Sequence, residues 1–404
     1  MDRSPESLSW VQEKIFLGKT FREYLKSNLT LSNSIAALIL IVAIPTMAYR
    51  FVRGLGPSTN LSDINPWGIW IGIDMLCGVA FAAGGFVMGT AFYILGLKEY
   101  RIFVRPAILT GFLGYLFAVV GLIFDLGRYY RLPYPMFVSF GVTSIMFLIA
   151  WHVALYLACQ FVEWCPAIFE WLNMRKARQW FYRLAVGATI FGILLSTLHQ
   201  SALGAIFLLA PGKLHPLWYS ELIPLFFFVS AVTAGMSMVI VESSLSHRVF
   251  RNQVAHIDHG HFDRLTISLG KAASAVLLTY FALKIIGVAH SNSWNLLFTH
   301  YGYWFMFEIL GFILLPAFLF AYGVRWKNVR VVRFTALLTV LGIILNRVNV
   351  CIIAFNWNAA VRYYPSWMEV VITLGIITLE ILAFRWIVNR MPILYDHPKF
   401  ESSH

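Results

Sequence analysis

Charge is what this 404-residue chain has least of: 12% of its residues are Asp, Glu, Lys or Arg, against about a quarter in an ordinary soluble domain. That scarcity excludes a soluble globular enzyme. Cysteine is scarce as well. Cys77, Cys159, Cys165 and Cys351 form no C-x-x-C pair and lie inside apolar runs, where cysteine behaves as a small hydrophobe, so neither a disulfide framework nor an iron-sulfur site is indicated. The net charge of +12 is not gathered into a basic tract or a nucleic-acid motif, which argues against nucleic acid as a partner. Long polar loops are missing too, so any soluble redox or catalytic unit must be a separate chain. The first residues carry Asp2, Arg3, Glu6, Glu13 and Lys14 ahead of any apolar run, unlike a cleaved signal peptide, and the first span reads as a retained anchor.

In place of charge stand apolar residues, 59% of the chain. A membrane helix needs about 20 of them in a row. Runs bounded by charge, Pro or Gly predict helices at 32–52, 67–97, 104–127, 137–162, 181–207, 217–245, 264–289, 300–324, 331–355 and 364–389. The fold class expected is therefore all-α, a polytopic membrane protein of about ten spans. Residues 1–31 precede it; Trp10, Val11, Leu17, Phe21, Tyr24 and Leu25 recur there at near-helical spacing among Lys14, Lys19, Arg22 and Lys26, as in a helix lying on a membrane surface. The membrane domain runs over 32–390, and residues 391–404 form a tail. Lys and Arg number 21 on the N-terminus, the even-numbered loops, their flanking turns and the C-terminus, against 6 on the odd-numbered loops. Cytoplasmic segments keep the excess of Lys and Arg, so both termini are expected in the cytoplasm and the odd loops outside, in the periplasm if the membrane is a bacterial inner one.

Ionisable groups in hydrocarbon cost several kcal/mol unless paired or hydrated, which makes each a functional candidate. Span two places Asp74 about 10 Å below the outer surface, and span five places His199 and Gln200 at a similar depth. Span three ends in Asp125-Leu126-Gly127-Arg128-Tyr129-Tyr130, with Asp125 and Arg128 expected on one helical face. A quinone headgroup requires such equipment, since its carbonyls accept hydrogen bonds and its redox change passes two protons. Gly78, Ala82, Gly85 and Gly89 form a stripe in span two that either packs closely or leaves room for a flat ligand. A second set, Glu242, Lys271, Lys284, Glu308, Asn346, Arg347 and Asn349, could be static ion pairs or a proton path, for which Glu242, Glu308, Arg347 and Asn349 are the candidates. His152 and Glu380 read as lone buried groups. His152 and His199 are the histidines well inside spans and their inferred depths differ, so no haem is expected. His256, His259 and His261 beside Asp258 are expected to be solvated, and no metal site is expected.

At these residues the sequence resembles the NrfD/PsrC-like membrane subunits of respiratory oxidoreductases. The matching runs are Pro66-Trp67-Gly68-Ile69-Trp70 with Asp74 and Gly84-Gly85, Arg105-Pro106-Ala107, Asp125-Leu126-Gly127-Arg128-Tyr129, His199-Gln200-Ser201 with Gly204, and Lys213-Leu214-His215-Pro216-Leu217-Trp218. They extend from about residue 35 to about 395 and look most like the ten-span branch found in menaquinone reductase and hydrogenase complexes. The resemblance implies two four-helix bundles, about 67–207 and 217–355, with peripheral helices beside them. It implies a menaquinone or other quinone pocket in the outer half of the first bundle and no haem. It also implies a periplasmic ferredoxin-like iron-sulfur partner, itself linked to a catalytic subunit or a multihaem cytochrome c. Carried over to this chain, the pocket would include Asp74, Asp125, Arg128, His199 and Gln200, with His199 and Asp125 exchanging protons. His215-Pro216-Leu217-Trp218 would help to dock the partner. The histidine and asparagine that some eight-span members place in their first pocket helix are absent from span two. The function expected is a quinone-binding subunit of an oxidoreductase complex in the inner membrane, surrounded by lipid; a proton-coupled transporter and a passive anchor are the alternatives.

Overall fold

The computed structural model describes residues 9–255, 258–395 and 400. Among the described residues, ten helices are long and apolar enough to cross a membrane. They are span 1 (Leu31–Arg53), span 2 (Trp70–Ile94), span 3 (Lys98–Asp125), span 4 (Ile145–Trp171), span 5 (Arg175–Leu209), span 6 (Ile223–Val249), span 7 (His259–His290), span 8 (His300–Arg325), span 9 (Val329–Ile353) and span 10 (Trp367–Val388). An even number returns the chain to its starting side, here called the terminal face; the opposite side is the far face.

Spans 2 to 5 pack around one another, spans 6 to 9 do likewise, and span 6 joins the two groups by lying against spans 2 and 5. Span 10 packs on spans 1 and 3. The crossing of spans 2 and 6 is a glycine contact: a Cβ on Gly235 would sit 2.6 Å from the backbone nitrogen of Gly84. Packing of this kind suits a bilayer, where close backbone approach replaces the hydrophobic effect as the attractive term.

Spans 3 to 7 differ most from the expected boundaries, span 6 beginning at Ile223 in place of 217 and span 7 at His259 in place of 264. Span 3 begins near residue 98, span 5 near 175, and span 4 runs over Ile145–Trp171 in place of 137–162. Residues 137–144 are apolar in part, but Ser139, Gly141, Thr143 and Ser144 break the helix, whereas Glu163 and Glu170 do not end it. Glu170 is tolerated because Arg105 donates to both of its oxygens at 2.9 and 3.0 Å and Arg178 Nε donates at 3.1 Å. A charge that marks a helix end in a sequence is here a paired charge inside one.

The N-terminal segment is not a single surface helix. Two short helices, Trp10–Lys14 and Phe21–Ser27, each opened by a capping box, are separated by Leu17 and Gly18, both at positive φ. Arg390, just beyond span 10, donates to the Ile15 carbonyl at 2.7 Å and to the Tyr24 hydroxyl at 2.8 Å. Trp10 meets Trp171 with ring centroids 6.0 Å apart. The segment is thus tied to the helix ends of the terminal face.

Candidate functional site: a buried carboxylate at the head of an apolar cavity

Span 2 opens with a π-helical stretch, Trp70–Met75, a wide turn of the kind often found at functional sites. Within it Asp74 is buried. Its Oδ2 accepts a hydrogen bond from Thr373 of span 10 at 2.9 Å, and its Oδ1 has no partner. Gly121 of span 3 makes room for it, since a Cβ at that position would lie 2.6 Å from the Asp74 Cβ. The start of span 10 also fixes the start of span 2. Trp70 Nε1 donates to the Glu369 carbonyl at 3.3 Å, and Tyr363 accepts from the Ile69 amide at 3.2 Å while donating to Glu369 Oε1 at 2.5 Å. Burial raises the Tyr363 phenol well above its ordinary value, so it remains a donor.

Asp74 lines a cavity of about 620 Å³ bounded by spans 1, 2, 3, 6, 9 and 10, a volume ordinary for a small-molecule site. Of the residues expected in one pocket, Asp74 alone lines this cavity; Asp125, Arg128, His199 and Gln200 do not.

Asp125 is the last helical residue of span 3, and its Oδ1 is buried without a partner. Because the helix stops there, Arg128 does not share a face with it; Arg128 is exposed in the far loop. The cation near Asp125 is Arg50 of span 1, which is 1% exposed and donates to the carbonyls of Phe124 and Leu126 at 2.9 Å each. Sequence reading missed Arg50 because it stands near a predicted span end, where basic residues normally snorkel to water.

His199 is fully buried inside the first bundle, with both ring nitrogens unpartnered. Its ring lies 5.6 Å from that of Tyr115, whose hydroxyl is likewise unpartnered although Ser196 and Gln200 are beside it. Gln200 Nε2 donates to the Val79 carbonyl at 2.9 Å and so joins span 5 to span 2. Val79 lies five residues after Asp74, roughly 140° round the helix, which puts the His199 cluster on the other side of span 2 from Asp74. The stripe of small residues in span 2 packs closely on span 3: ideal Cβ atoms at Gly78 and Gly85 would lie 3.5 and 3.3 Å from the carbonyls of Gly114 and Ala107. One depth argument also changes. With span 4 starting at Ile145, His152 is about 10 Å below its far end, in the same layer as His199, so the depth difference expected from the sequence is not there.

The second bundle holds a contrasting set. Glu308 accepts from Asn346 Nδ2 at 2.6 Å, Trp218 Nε1 at 2.7 Å and Asn349 Nδ2 at 2.5 Å. Arg347 donates to Asn346 Oδ1 at 2.9 Å and to Ser230 Oγ at 2.8 Å, with its guanidinium 3.9 Å from the centre of the Phe227 ring. Lys284 sits among the rings of Phe226, Tyr280 and Phe305. Lys271 is exposed, and Glu242 belongs to another place, near the terminal end of span 6, where it accepts from Ser246 at 2.8 Å. Glu380 lines the cavity with Glu242 and Asp74.

One further expectation is corrected. His215 and Trp218 are buried, at 3% and 1% exposure, and cannot form a docking surface. The His215 ring stacks on Tyr301 at 4.6 Å, its backbone amide donates to the Ala354 carbonyl at 2.9 Å, and Trp218 reaches Glu308; the motif locks a far-face loop onto the second bundle. Among the inner-loop histidines, His256 lies outside the described residues, and among the described residues no three His, Cys, Asp or Glu side chains are grouped to hold a metal.

The fold and site define a ten-span helical membrane protein with an apolar cavity that Asp74 heads and Glu242 and Glu380 also line. Residues 57–357 match the family described as "Polysulphide reductase, NrfD". The chain belongs to the NrfD family. It is similar to a protein of Nitratidesulfovibrio vulgaris, 51% identical over 94% of this chain and 98% of the relative. It is also similar to the Escherichia coli protein named probable Ni/Fe-hydrogenase 2 b-type cytochrome subunit, 31% identical over 90% and 94%. The menaquinone reductase integral membrane subunit of Nitratidesulfovibrio vulgaris is 26% identical over 80% and 82%.

Proposed function

We propose that this chain is the quinone-binding membrane subunit of an oxidoreductase complex, exchanging electrons with an iron-sulfur subunit docked on its far face. The observation that carries the proposal is Asp74: a buried carboxylate with one oxygen held by Thr373 and the other unpartnered, at the end of an apolar cavity. The menaquinone reductase and hydrogenase names of its relatives agree with this reading. The distribution of Lys and Arg makes the terminal face cytoplasmic and the far face periplasmic, in a bacterial inner membrane.

A quinone takes up two electrons and two protons to become quinol. In this proposal the electrons cross from the partner's cluster, and the chain's own residues place the ring and handle the protons. Asp74 Oδ1 is the free acceptor for a quinol hydroxyl, and Thr373 fixes the direction in which that oxygen points. Asp125, backed by Arg50, and His199, with two free ring nitrogens, stand outside the cavity and are the groups that exchange protons one step removed from the ring. Arg128, exposed beside Arg131 on the far loop, belongs to the partner-docking surface. We assign no haem to this chain. Proton coupling is the finer part of the proposal, with Glu242, Glu308, Arg347 and Asn349 as the buried groups that take part.

The test is purification of the intact complex in mild detergent, identification of its subunits, and a quinone and haem assay on the extract. Co-purifying quinone and an iron-sulfur subunit, with no haem bound to this chain, are expected. A chain that turns over as a carrier of ions in liposomes, without quinone or partners, would replace the proposal with a transporter. Charge movement during turnover in proteoliposomes decides the proton part; uptake of both protons from the far side removes it.

A further inference from the structure

The cavity below Asp74 has a second end. Along span 10 its wall carries Ile377 and Ile381, ten and fourteen residues from Trp367, so about 15 and 21 Å below the far end. Across from them stand Leu245 of span 6 and Ile344 of span 9. Three of these lips are open at the protein surface: Leu245 is 59% exposed, Ile381 54% and Ile377 38%. Exposed apolar side chains at the depth of Ile377 and Ile381 face acyl chains, not water, because the hydrocarbon core is about 30 Å thick, and Leu245 stands nearer the terminal end, four residues from the end of span 6. The cavity therefore opens sideways into the bilayer, between spans 6 and 9 on one flank and span 10 on the other, and closes at Asp74.

We propose that this slot is the lateral port for the quinone, and that the first units of its isoprenoid tail lie between spans 6 and 10 while its ring is at Asp74. The inference rests on the quinone reading above and adds the route and the seat of the tail. Three features select such a guest. The mouth between Leu245 and Ile381 faces lipid, and the lining runs on to Ser32 and Arg385 near the terminal ends of spans 1 and 10. The floor, where Gly78 meets Gly114 and Ala118, is built of small residues, with Phe81 and Phe117 of the same spans lining the cavity beside it, which suits a flat ring passing along it. The end at Asp74 presents an unpartnered carboxylate oxygen, a fit for a polar group at the leading end of a mostly apolar molecule, while the cavity's other acids, Glu242 and Glu380, stand nearer the mouth. A phospholipid enters the other way round, with its polar group at the membrane surface and its methyl ends deepest, and would leave Asp74 against hydrocarbon.

The test uses the assembled complex and two substrates, a long-tailed quinone and a naphthoquinone without a tail. Ile377→Trp and Ile381→Trp narrow the mouth without touching Asp74. The expected result is a fall of at least tenfold in kcat/KM for the tailed quinone, with less than a twofold change for the tailless one. No change with either substrate, or an equal loss with both, overturns the port. A wild-type complex that turns over neither substrate overturns the quinone reading itself. Should the tryptophan variants fail to assemble, a quinone carrying a photoreactive group on its tail decides with the wild-type complex. Crosslinks to Val241–Leu245 of span 6 and to Ile377–Ile381 of span 10 are expected, and crosslinks confined to spans 4 and 5 overturn the proposal.

Discussion

The two helical groups hold Glu308 and Asp74 differently, although each group has both kinds of site: Glu170 is bound by Arg105 and Arg178 in the first, and Ser237, Ser244 and Arg347 Nε lack partners in the second. In spans 6 to 9, Glu308 receives three hydrogen bonds from Trp218, Asn346 and Asn349, and Arg347 is bound to Asn346 and Ser230. In spans 2 to 5, Asp74, Tyr115, Ser196 and both nitrogens of His199 keep polar atoms with no partner. An unsatisfied buried polar atom costs about 1–3 kcal/mol, so a chain that retains several in one region has kept them for something that arrives later. The closed set specifies how helices pack, and the open set specifies what can bind. Sequence alone cannot separate the two, because Glu308 and Asp74 are equally lone acids in equally apolar runs.

The sharpest way to break this comparison is Glu308→Ala. It strands three donors and leaves Arg347 and Lys284 without the carboxylate, so a loss of about 3–5 kcal/mol is expected, seen as poor yield and early thermal unfolding of the purified complex. A stable Glu308→Ala protein would remove the closed character of the second bundle. Asp74→Asn should do the reverse, keeping stability within about 1 kcal/mol while quinone turnover falls by about tenfold to a hundredfold, the scale of a lost hydrogen bond to a charged group; parallel melting curves and steady-state assays check both halves. A third experiment tests the lock of the second bundle by pH. Burial lowers His215 to about 4, below the ordinary value near 6.5, so the unfolded state binds more protons than the folded one between these values. The stability His215 contributes is complete above about 6.5 and is lost as pH falls towards 4. A falling Tm across that window, flattened in His215→Gln, is expected, and an unchanged slope in the variant assigns the pH effect elsewhere. Smallest of all is Arg128→Ala: exposed beyond the end of span 3, it should change turnover of an assembled complex less than twofold, whereas Arg50→Ala should unsettle the Asp125 end of span 3.

The ten spans and the shared side of both termini were legible because a bilayer leaves little choice: each crossing needs a long apolar run, and the runs were countable. Boundaries failed where a charge was paired, as at Glu170, since a sequence shows the charge and hides the partner. The acids and the buried histidine were visible for the same reason that charge is rare in the chain. Their grouping was not. Asp74 and His199 stand at similar depths, yet they point to different sides of span 2, and depth is the only coordinate that residue counting supplies. Thr373 and Arg50 complete the surroundings of Asp74 and Asp125 from spans 10 and 1, hundreds and tens of residues away, through contacts no local pattern announces. His215-Pro216-Leu217-Trp218 was recognisable as a motif, but a loop position suggested the surface, and only its stacking on Tyr301 shows a buried lock.

Span 1 shares its packing surface with span 10, where a Cβ on Gly375 would lie 2.6 Å from that of Ala43. Some 320 residues separate the two in the chain, and at about ten residues per second a ribosome needs on the order of half a minute to bridge them. The first helix to enter the membrane must wait in lipid until the last one is made. Polypeptides cut short anywhere before Trp367 leave it without that mate and leave Asp74 without Thr373, so an unfinished copy offers the cell a ready signal for removal before it can compete for partners.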